Sequence, residues 1–254
     1  MPHTIIVVPC FNEESRLPAE EFGRFLETTA DVDLLFVDDG STDATLERFS
    51  SLARGNPARI SALDHGPNRG KAEAVRAGLR EAFRREPCYA GFWDADLSTP
   101  LEELPRFVEL LEERASCQAV FGSRVRLMGR WIERNALRHY AGRVFATLTS
   151  LTLGLPVYDT QCGAKLFRCT PEIMALFDEP FLTRWIFDVE IIARLIQAHA
   201  AGGAPDPHDA ICEYPLRRWK DVPGSKVSPL DFFRGIRDLY RIHRTYLRHA
   251  SRRA

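Results

Sequence analysis

No run of about 18 apolar residues, the length a membrane-spanning helix needs, occurs in this 254-residue chain. The most apolar candidate, Val144 to Val157, is interrupted by threonines, Gly154 and Pro156. Met1 leads straight into the short apolar segment Thr4–Pro9 without a basic flank, so a secretory leader is not expected. An excess of charge of one sign is also missing: 34 basic residues face 35 acidic ones, which excludes a global field that would steer the protein onto nucleic acid. The six cysteines, Cys10, Cys88, Cys117, Cys162, Cys169 and Cys212, form no CxxC pair; this argues against structural zinc and a disulfide framework and fits a reducing cytoplasm. Neither GxxxxGK[ST] nor GxGxxG occurs, and there is no internal repeat or low-complexity tract.

What is present is enough apolar residue, 45% of the chain, for one substantial core. Short β-branched or aromatic runs alternate with helical patterns through the first half. Strands are expected at Thr4–Pro9, Leu34–Asp38, Ile60–Asp64, Tyr89–Asp94 and Ala119–Ser123, with helices at Glu20–Thr29, Asp43–Ala53, Lys71–Arg85 and Leu101–Arg114. This rhythm predicts an α/β fold: a mostly parallel, doubly wound sheet with helices on both faces. In the second half the pattern predicts helices over Ile132–Leu153 and Asp188–His199, strands over Gly163–Arg168 and Ile211–Pro215, and a loop over Gly202–His208. A last helix is expected from Pro229, capped by Ser228.

Ligands of such sheets bind beyond the carboxyl ends of the strands, where this sequence gathers its acids and turn residues. Asp94 and Asp96 stand two apart at the end of an apolar strand, so both carboxylates face one side and repel unless a cation intervenes. Few, hard oxygen ligands suit Mg²⁺ or Mn²⁺ held jointly with a ligand's phosphates. Taken alone, a DxD triplet is better read as a solvated turn, with Asp96 capping the helix that follows Pro100; its neighbours reverse that order. In Asp38-Asp39-Gly40-Ser41-Thr42-Asp43, one aspartate is positioned to enter the cleft while the next braces the loop; ligand contact is expected of Asp38 and Asp39, and helix capping of Ser41 and Thr42. Asn68-Arg69-Gly70-Lys71 opens a helix, where free backbone N–H groups and two cations suit a diphosphate or else form a charged turn.

Taken together, IIVVPCFNEESRL, VDDGSTDAT, NRGKAEAVRAGL, FWDADLSTP, VFGSR, DTQCGAKLF, WIFDVEI and GSKVSP resemble the family 2 glycosyltransferases of GT-A fold. Within that family the chain is most similar to the polyprenyl-phosphate branch, the dolichyl-phosphate glucosyltransferases and mannose synthases. The resemblance runs from about Ile5 to Pro229. It implies a Rossmann-like single domain over residues 1–228, with a nucleotide-sugar half at 1–123 and an acceptor half at 124–228. A C-terminal amphipathic helix and basic tail follow at 229–254.

By the resemblance, Pro9, Phe11 and Glu13 embrace the nucleoside, Asp38 and Asp39 contact base and ribose, and Asp94 and Asp96 hold the metal and donor diphosphate. Arg124 and Lys226 are associated with the acceptor phosphate, and Asp159 and Asp188 take the acceptor-side acid positions. Mannose synthases carry Gln where this chain has Ser98, a departure that counts against a mannosyl donor, and resemblance to the glucosyl branch implies UDP-glucose. The implied activity is inverting transfer of a hexose from UDP-glucose to a polyprenyl phosphate, with Mg²⁺ or Mn²⁺. Arg69 and Lys71 would meet the departing nucleotide, and Arg124, Arg130, Arg218 and Lys226 the incoming phosphate. A phosphate monoester is already nucleophilic at neutral pH; with a hydroxyl acceptor, Asp188 would serve as base.

A lipid acceptor requires contact with a membrane. Two segments offer it: Arg124, Arg126, Arg130, Arg134, Arg138 and Arg143 around Leu127, Met128, Trp131, Ile132 and Leu137; and the last helix, with Phe232, Phe233, Ile236, Leu239, Tyr240, Tyr246 and Leu247 among arginines that continue to Arg252 and Arg253. For the last helix, packing on the core is the expected outcome; for the first segment, peripheral contact with the cytoplasmic face. The alternatives are a family 2 enzyme acting on a polysaccharide or soluble acceptor, a sugar nucleotidyltransferase, whose glycine-rich phosphate loop is missing after the first strand, and a silent nucleotide-binding scaffold.

Overall fold

In the computed structural model, residues 1–133, 136–222 and 229–248 are described, with no account of the side chains at 136–138 and 229–232. The expectations for Arg134, Lys226, Ser228, Arg252 and Arg253, and for the side chains of Leu137, Arg138 and Phe232, lie outside the described residues.

Nine strands and nine α-helical segments follow one another among the described residues. Strands β1 (Thr4–Cys10), β2 (Val32–Asp38), β3 (Ile60–Asp64), β4 (Tyr89–Trp93) and β5 (Ala119–Ser123) alternate with α1 (Ala19–Thr28), α2 (Thr45–Gly55), α3 (Lys71–Phe83) and α4 (Leu104–Glu113). Then come β6 (Trp131–Glu133), α5 (Ala136–Leu153), β7 (Ala164–Arg168), α6 (Pro171–Met174), α7 (Phe187–Ala200) and α8 (Pro207–Ala210). The chain ends with β8 (Ile211–Pro215), β9 (Arg218–Lys220) and α9 (Pro229–Ile242), which runs on into a wider turn at His243–Leu247.

Seven strands form one sheet in the order β3-β2-β1-β4-β7-β5-β8, in which β7 alone is antiparallel to its neighbours. The parallel strands therefore end at one edge, and the start of β7 reaches that same edge. Alternation along the strands builds two cores: Ile5, Val7, Leu35 and Val37 pack on one face with α3 and α7, while Ile6, Val8, Leu34 and Phe36 pack on the other with α1 and α4. All six cysteines are free thiols.

The predicted elements of the first half match within a few residues, but the helix expected over Ile132–Leu153 is corrected. Trp131–Glu133 is strand β6, paired in parallel with β9, and the helix begins at Ala136. The reason is local: Ile132 is buried between exposed Trp131 and Glu133, a period of two, and β9 shows the same pattern around Trp219. At three residues each, both strands show this alternation in their burial, which the sequence alone is too short to reveal. The loop expected through His208 is also shortened, because Asp206 Oδ1 accepts from His208 N (2.9 Å) and starts α8 at Pro207.

Helix α9 packs on the body of the domain. Leu239, Ile242 and Leu247 are buried in the core beside α7, Tyr246 donates to Glu190 Oε1 (2.9 Å), and Gly235 lies against Phe145 of α5. Phe233, Ile236 and Tyr240 remain exposed on its other side. Ile242→Ala should therefore cost about 2–5 kcal/mol in equilibrium denaturation, while Tyr240→Ala should leave the midpoint nearly unchanged.

Candidate functional site

The edge at which β1, β2, β4 and β5 end, and β7 begins, carries every acid singled out from the sequence. After β2, Asp38 and Asp39 are each 2% exposed yet differ in what they touch. Asp39 accepts from the backbone N–H groups of Arg69 (2.9 Å, Oδ1) and Gly70 (2.8 Å, Oδ2), and its carbonyl accepts from Asn68 Nδ2 (3.1 Å). Asp39 is thus the brace between two loops. This corrects the expectation that the N–H groups before α3 are free for an anion: two of them are consumed by Asp39. Asp38 Oδ2 accepts from Ser41 N (3.1 Å), while its buried Oδ1 has no hydrogen-bond partner and awaits a donor.

The first motif interlocks with the second. Asn12, at φ 51°, donates through its N–H to Ser41 Oγ (3.0 Å) and accepts from Thr42 N (2.8 Å). Glu13 N donates to Thr45 Oγ1 (2.7 Å), which in turn donates to Asp43. Ser41 and Thr42 are therefore loop fasteners. Pro9, Phe11 and Glu13 line this edge half-buried, and Glu13 Oε2 lies 3.5 Å from Arg16 Nε.

Beyond β4 each member of the aspartate pair lies against a cation. Asp94 Oδ1 is bonded to Lys71 Nζ, and Asp96 Oδ2 to Arg16 Nη2. Asp96 Oδ1 also accepts from Ser98 N (3.0 Å) within the turn after β4, and the helical turn that begins at Leu101 receives no side-chain cap. Burial pulls the Lys71 ammonium down, but Asp94, Asp188 and Asp96 together outweigh it and hold its pKa above the ordinary value. Gly163, one residue before β7, lies so close to Asp94 that a Cβ there would overlap its carboxylate. Among the described residues no three His, Cys, Asp or Glu side chains converge as a metal cage. Two carboxylates that already demand counter-cations fit a hard divalent ion whose remaining ligands are diphosphate oxygens and water.

A second charged cluster is built on β5, β7 and α7. Arg124 grips Asp159 in a fork, Nε to Oδ2 at 2.7 Å and Nη2 to Oδ1 at 2.8 Å, and its backbone N–H adds a third bond to Oδ2 (3.0 Å). Burial lowers the guanidinium's pKa, and Asp159 more than restores it. Glu213 accepts from the N–H groups of Tyr158 (2.8 Å) and Asp159 (2.7 Å), and burial pushes its pKa up. A small cavity of about 50 Å³ opens here, lined by Arg124, His139, Arg143, Tyr158, Asp159 and Gln161.

Asp188, in the first turn of α7, lies 2.6 Å from Nζ of the fully buried Lys165. Burial raises its pKa, with Lys165 and then Lys71 opposing. Arg130 immediately precedes β6, and Arg218 borders an open groove of about 440 Å³ with Leu97, Ser98, Trp131, Trp219 and Lys220. Arg69 is exposed and enters the site through its backbone alone. Sequence reasoning missed Arg16, Lys165 and Gly163, although each lies inside or just beyond a motif already singled out.

The family model for glycosyl transferase family 2 matches residues 5–172. The chain belongs to this family. It is 31% identical over 257 residues to the dolichyl-phosphate beta-glucosyltransferase of Drosophila melanogaster, covering 95% of this chain and 74% of that one. Similarity to the mouse enzyme of the same name is also 31%, over 267 residues, covering 97% and 76%. Among solved structures, glucosyl-3-phosphoglycerate synthase from Mycobacterium tuberculosis, in complex with Mn²⁺, UDP-glucose and phosphoglyceric acid, superposes with a TM-score of 0.62. That match has 22% identity and covers 95% of this chain and 80% of that one. The family's GT-A architecture, a largely parallel seven-stranded sheet flanked by helices, is thus present here as a single domain.

For a family 2 chain the cradle at Gly163 has a testable consequence. Gly163→Ala should displace the Asp94 carboxylate and weaken sugar-nucleotide binding, measured calorimetrically with Mn²⁺, by about tenfold or more. A matched loss of cation affinity in the absence of nucleotide should accompany it.

Proposed function

We propose that this chain transfers glucose from UDP-glucose to the phosphate of a polyprenyl, dolichyl-type lipid, with inversion at the anomeric carbon and with Mg²⁺ or Mn²⁺ held at Asp94 and Asp96. The observation that carries this reading is the charge state of the acceptor side. Asp159 is neutralised by Arg124 and Asp188 by Lys165, so an anionic acceptor meets two compensated acids instead of two bare ones. The names of the relatives support the same acceptor and sugar. The Mn²⁺ and UDP-glucose held by the similarly folded synthase support the donor and metal classes.

Each residue then has a defined task. Asp38, through its unpartnered Oδ1, accepts from an N–H of the base, with Pro9, Phe11 and Glu13 around the nucleoside and Asp39 keeping the two loops together. A divalent ion at Asp94 and Asp96 would supply charge neutralisation at the diphosphate as the glycosidic bond to it breaks. Lys71 exchanges its carboxylate partner for diphosphate oxygen, while Arg69, whose backbone N–H is bonded to Asp39, contributes only positive charge at the rim. Arg124, set by Asp159, Trp219 and the cavity wall, orients the acceptor phosphate, and Arg130 and Arg218 add positive charge along its approach. No strong base is required, because the acceptor oxygen is already anionic.

Reaching a lipid calls for surface attachment, and no described helix is long and apolar enough to cross a membrane. The exposed side chains suit an anionic bilayer surface instead. Leu127, Met128 and Trp131 protrude beside Arg126 and Arg130, and on the neighbouring helices Tyr140, Val144 and Leu151 of α5 and Phe233, Ile236 and Tyr240 of α9 face outward among Arg234, Arg237 and Arg241.

A screen of UDP- and GDP-sugars against a short polyprenyl phosphate with Mg²⁺ or Mn²⁺ should release UDP from UDP-glucose, with the glucosylated product extracting into organic solvent. Label remaining in the aqueous phase would instead identify a soluble acceptor. Asp96→Asn should abolish turnover without lowering the denaturation midpoint, since it removes charge at a cleft and no core volume. The protein should sediment with anionic liposomes at low salt and be released as salt rises; absence of sedimentation at every salt concentration refutes the attachment.

A further inference from the structure

Lys165 occupies a position at which packing alone would select an apolar side chain. It lies in the middle of β7 with no exposure, its ammonium 5.1 Å from the Phe92 ring centroid and 4.9 Å from that of Phe121. Burying an ammonium group there costs several kcal/mol before pairing, and a hydrophobic residue of similar length would fill the space without that cost. Its only polar contacts among the described residues are the Cys162 carbonyl, to which it donates at 2.6 Å, and Asp188 Oδ1 at 2.6 Å.

Asp188 stands where this charge matters. Gln161 Nε2 lies 3.5 Å from its Oδ2 and lines the small acceptor-side cavity, and the charges of Lys71 and Asp94 also act on it from the metal side. A bare carboxylate at this junction would do two things: repel a phosphate acceptor, and accept a proton from water or a hydroxyl approaching the anomeric carbon. Pairing with a lysine that has no freedom to leave suppresses both.

We infer that Lys165 determines the acceptor class: by holding Asp188 as a neutral pair, it reserves the site for a phosphate and denies water a base. The inference rests on the proposed phosphate acceptor. In its absence the competing step is hydrolysis of the donor. A water oxygen bonds to the anomeric carbon as that carbon's bond to the diphosphate oxygen breaks; the electron pair leaves with UDP and the water proton passes to Asp188. Water is the sole co-reactant.

The test compares Lys165→Met with Lys165→Met/Asp188→Asn, using UDP-glucose, Mn²⁺ and a short polyprenyl phosphate, and measuring UDP release with and without acceptor. The single variant should show an acceptor KM raised about tenfold or more and faster acceptor-independent UDP release. The double variant, uncharged and close to the native volume, should return KM to within about threefold of wild type and return hydrolysis to the wild-type rate. A single variant that loses kcat alone, with KM and hydrolysis unchanged, overturns the inference and makes Lys165 merely structural. If the single variant does not fold, the double variant decides: a KM still raised about tenfold overturns it, and a near-native KM supports it. A wild-type enzyme that glucosylates no polyprenyl phosphate refutes the acceptor reading instead, and hydrolysis by the single variant then remains the measure of Lys165.

Discussion

Mutual repulsion among acids drawn to one sheet edge is the constraint around which this molecule is organised. Parallel strands deliver Asp38, Asp39, Asp94 and Asp96 to the same rim, and β7 and α7 add Asp159 and Asp188 to it. Each is stabilised by a different means. Asp39 is saturated by backbone N–H groups, Asp94 and Asp96 lie against Lys71 and Arg16, and Asp159 and Asp188 are locked to Arg124 and Lys165. The division is also one of exposure. Lys71 is 43% exposed at its side chain and free to exchange partners, whereas Lys165 is wholly buried and is not. In the proposed reaction, exchangeable pairs would receive the donor and its metal, and fixed pairs would form the wall that the acceptor meets.

The antiparallel strand β7 makes this arrangement possible. Running against its neighbours between β4 and β5, it begins at the rim instead of ending there, which brings Gly163 under Asp94 and places Lys165 opposite Phe92 in the β4 register. A parallel strand in the same slot would present its carboxyl end and the loop after it. Reversing one strand therefore ties the loop after β4 to the segment before β7 through the backbone itself: Asp94 N donates to the Gly163 carbonyl at 2.9 Å.

Much of the main sheet was legible in the chain. Strands β3, β5 and β8 match their predicted bounds, because turn residues punctuate short β-branched runs, and the acids after β2 and β4 announced themselves by following such runs. The second half was less readable. Ile132 fits a helical stripe as well as it fits the buried side of a three-residue strand, and only the partner strand around Trp219, some ninety residues away by the spacing of a crossover connection, resolves the choice.

Composition and local pattern by themselves determined an α/β chain whose acids collect beyond its strands, and the order of the motifs pointed to the family. They did not determine which charges pair, because pairing is set by distances between segments remote in sequence: Arg16 with Asp96, Arg124 with Asp159, Lys165 with Asp188. A lysine within an apolar strand pattern reads as an outward-facing residue until the fold closes Phe92 and Phe121 around it. Tertiary structure alone decided that this ammonium group faces the interior, since only there does low polarity make one carboxylate its necessary partner.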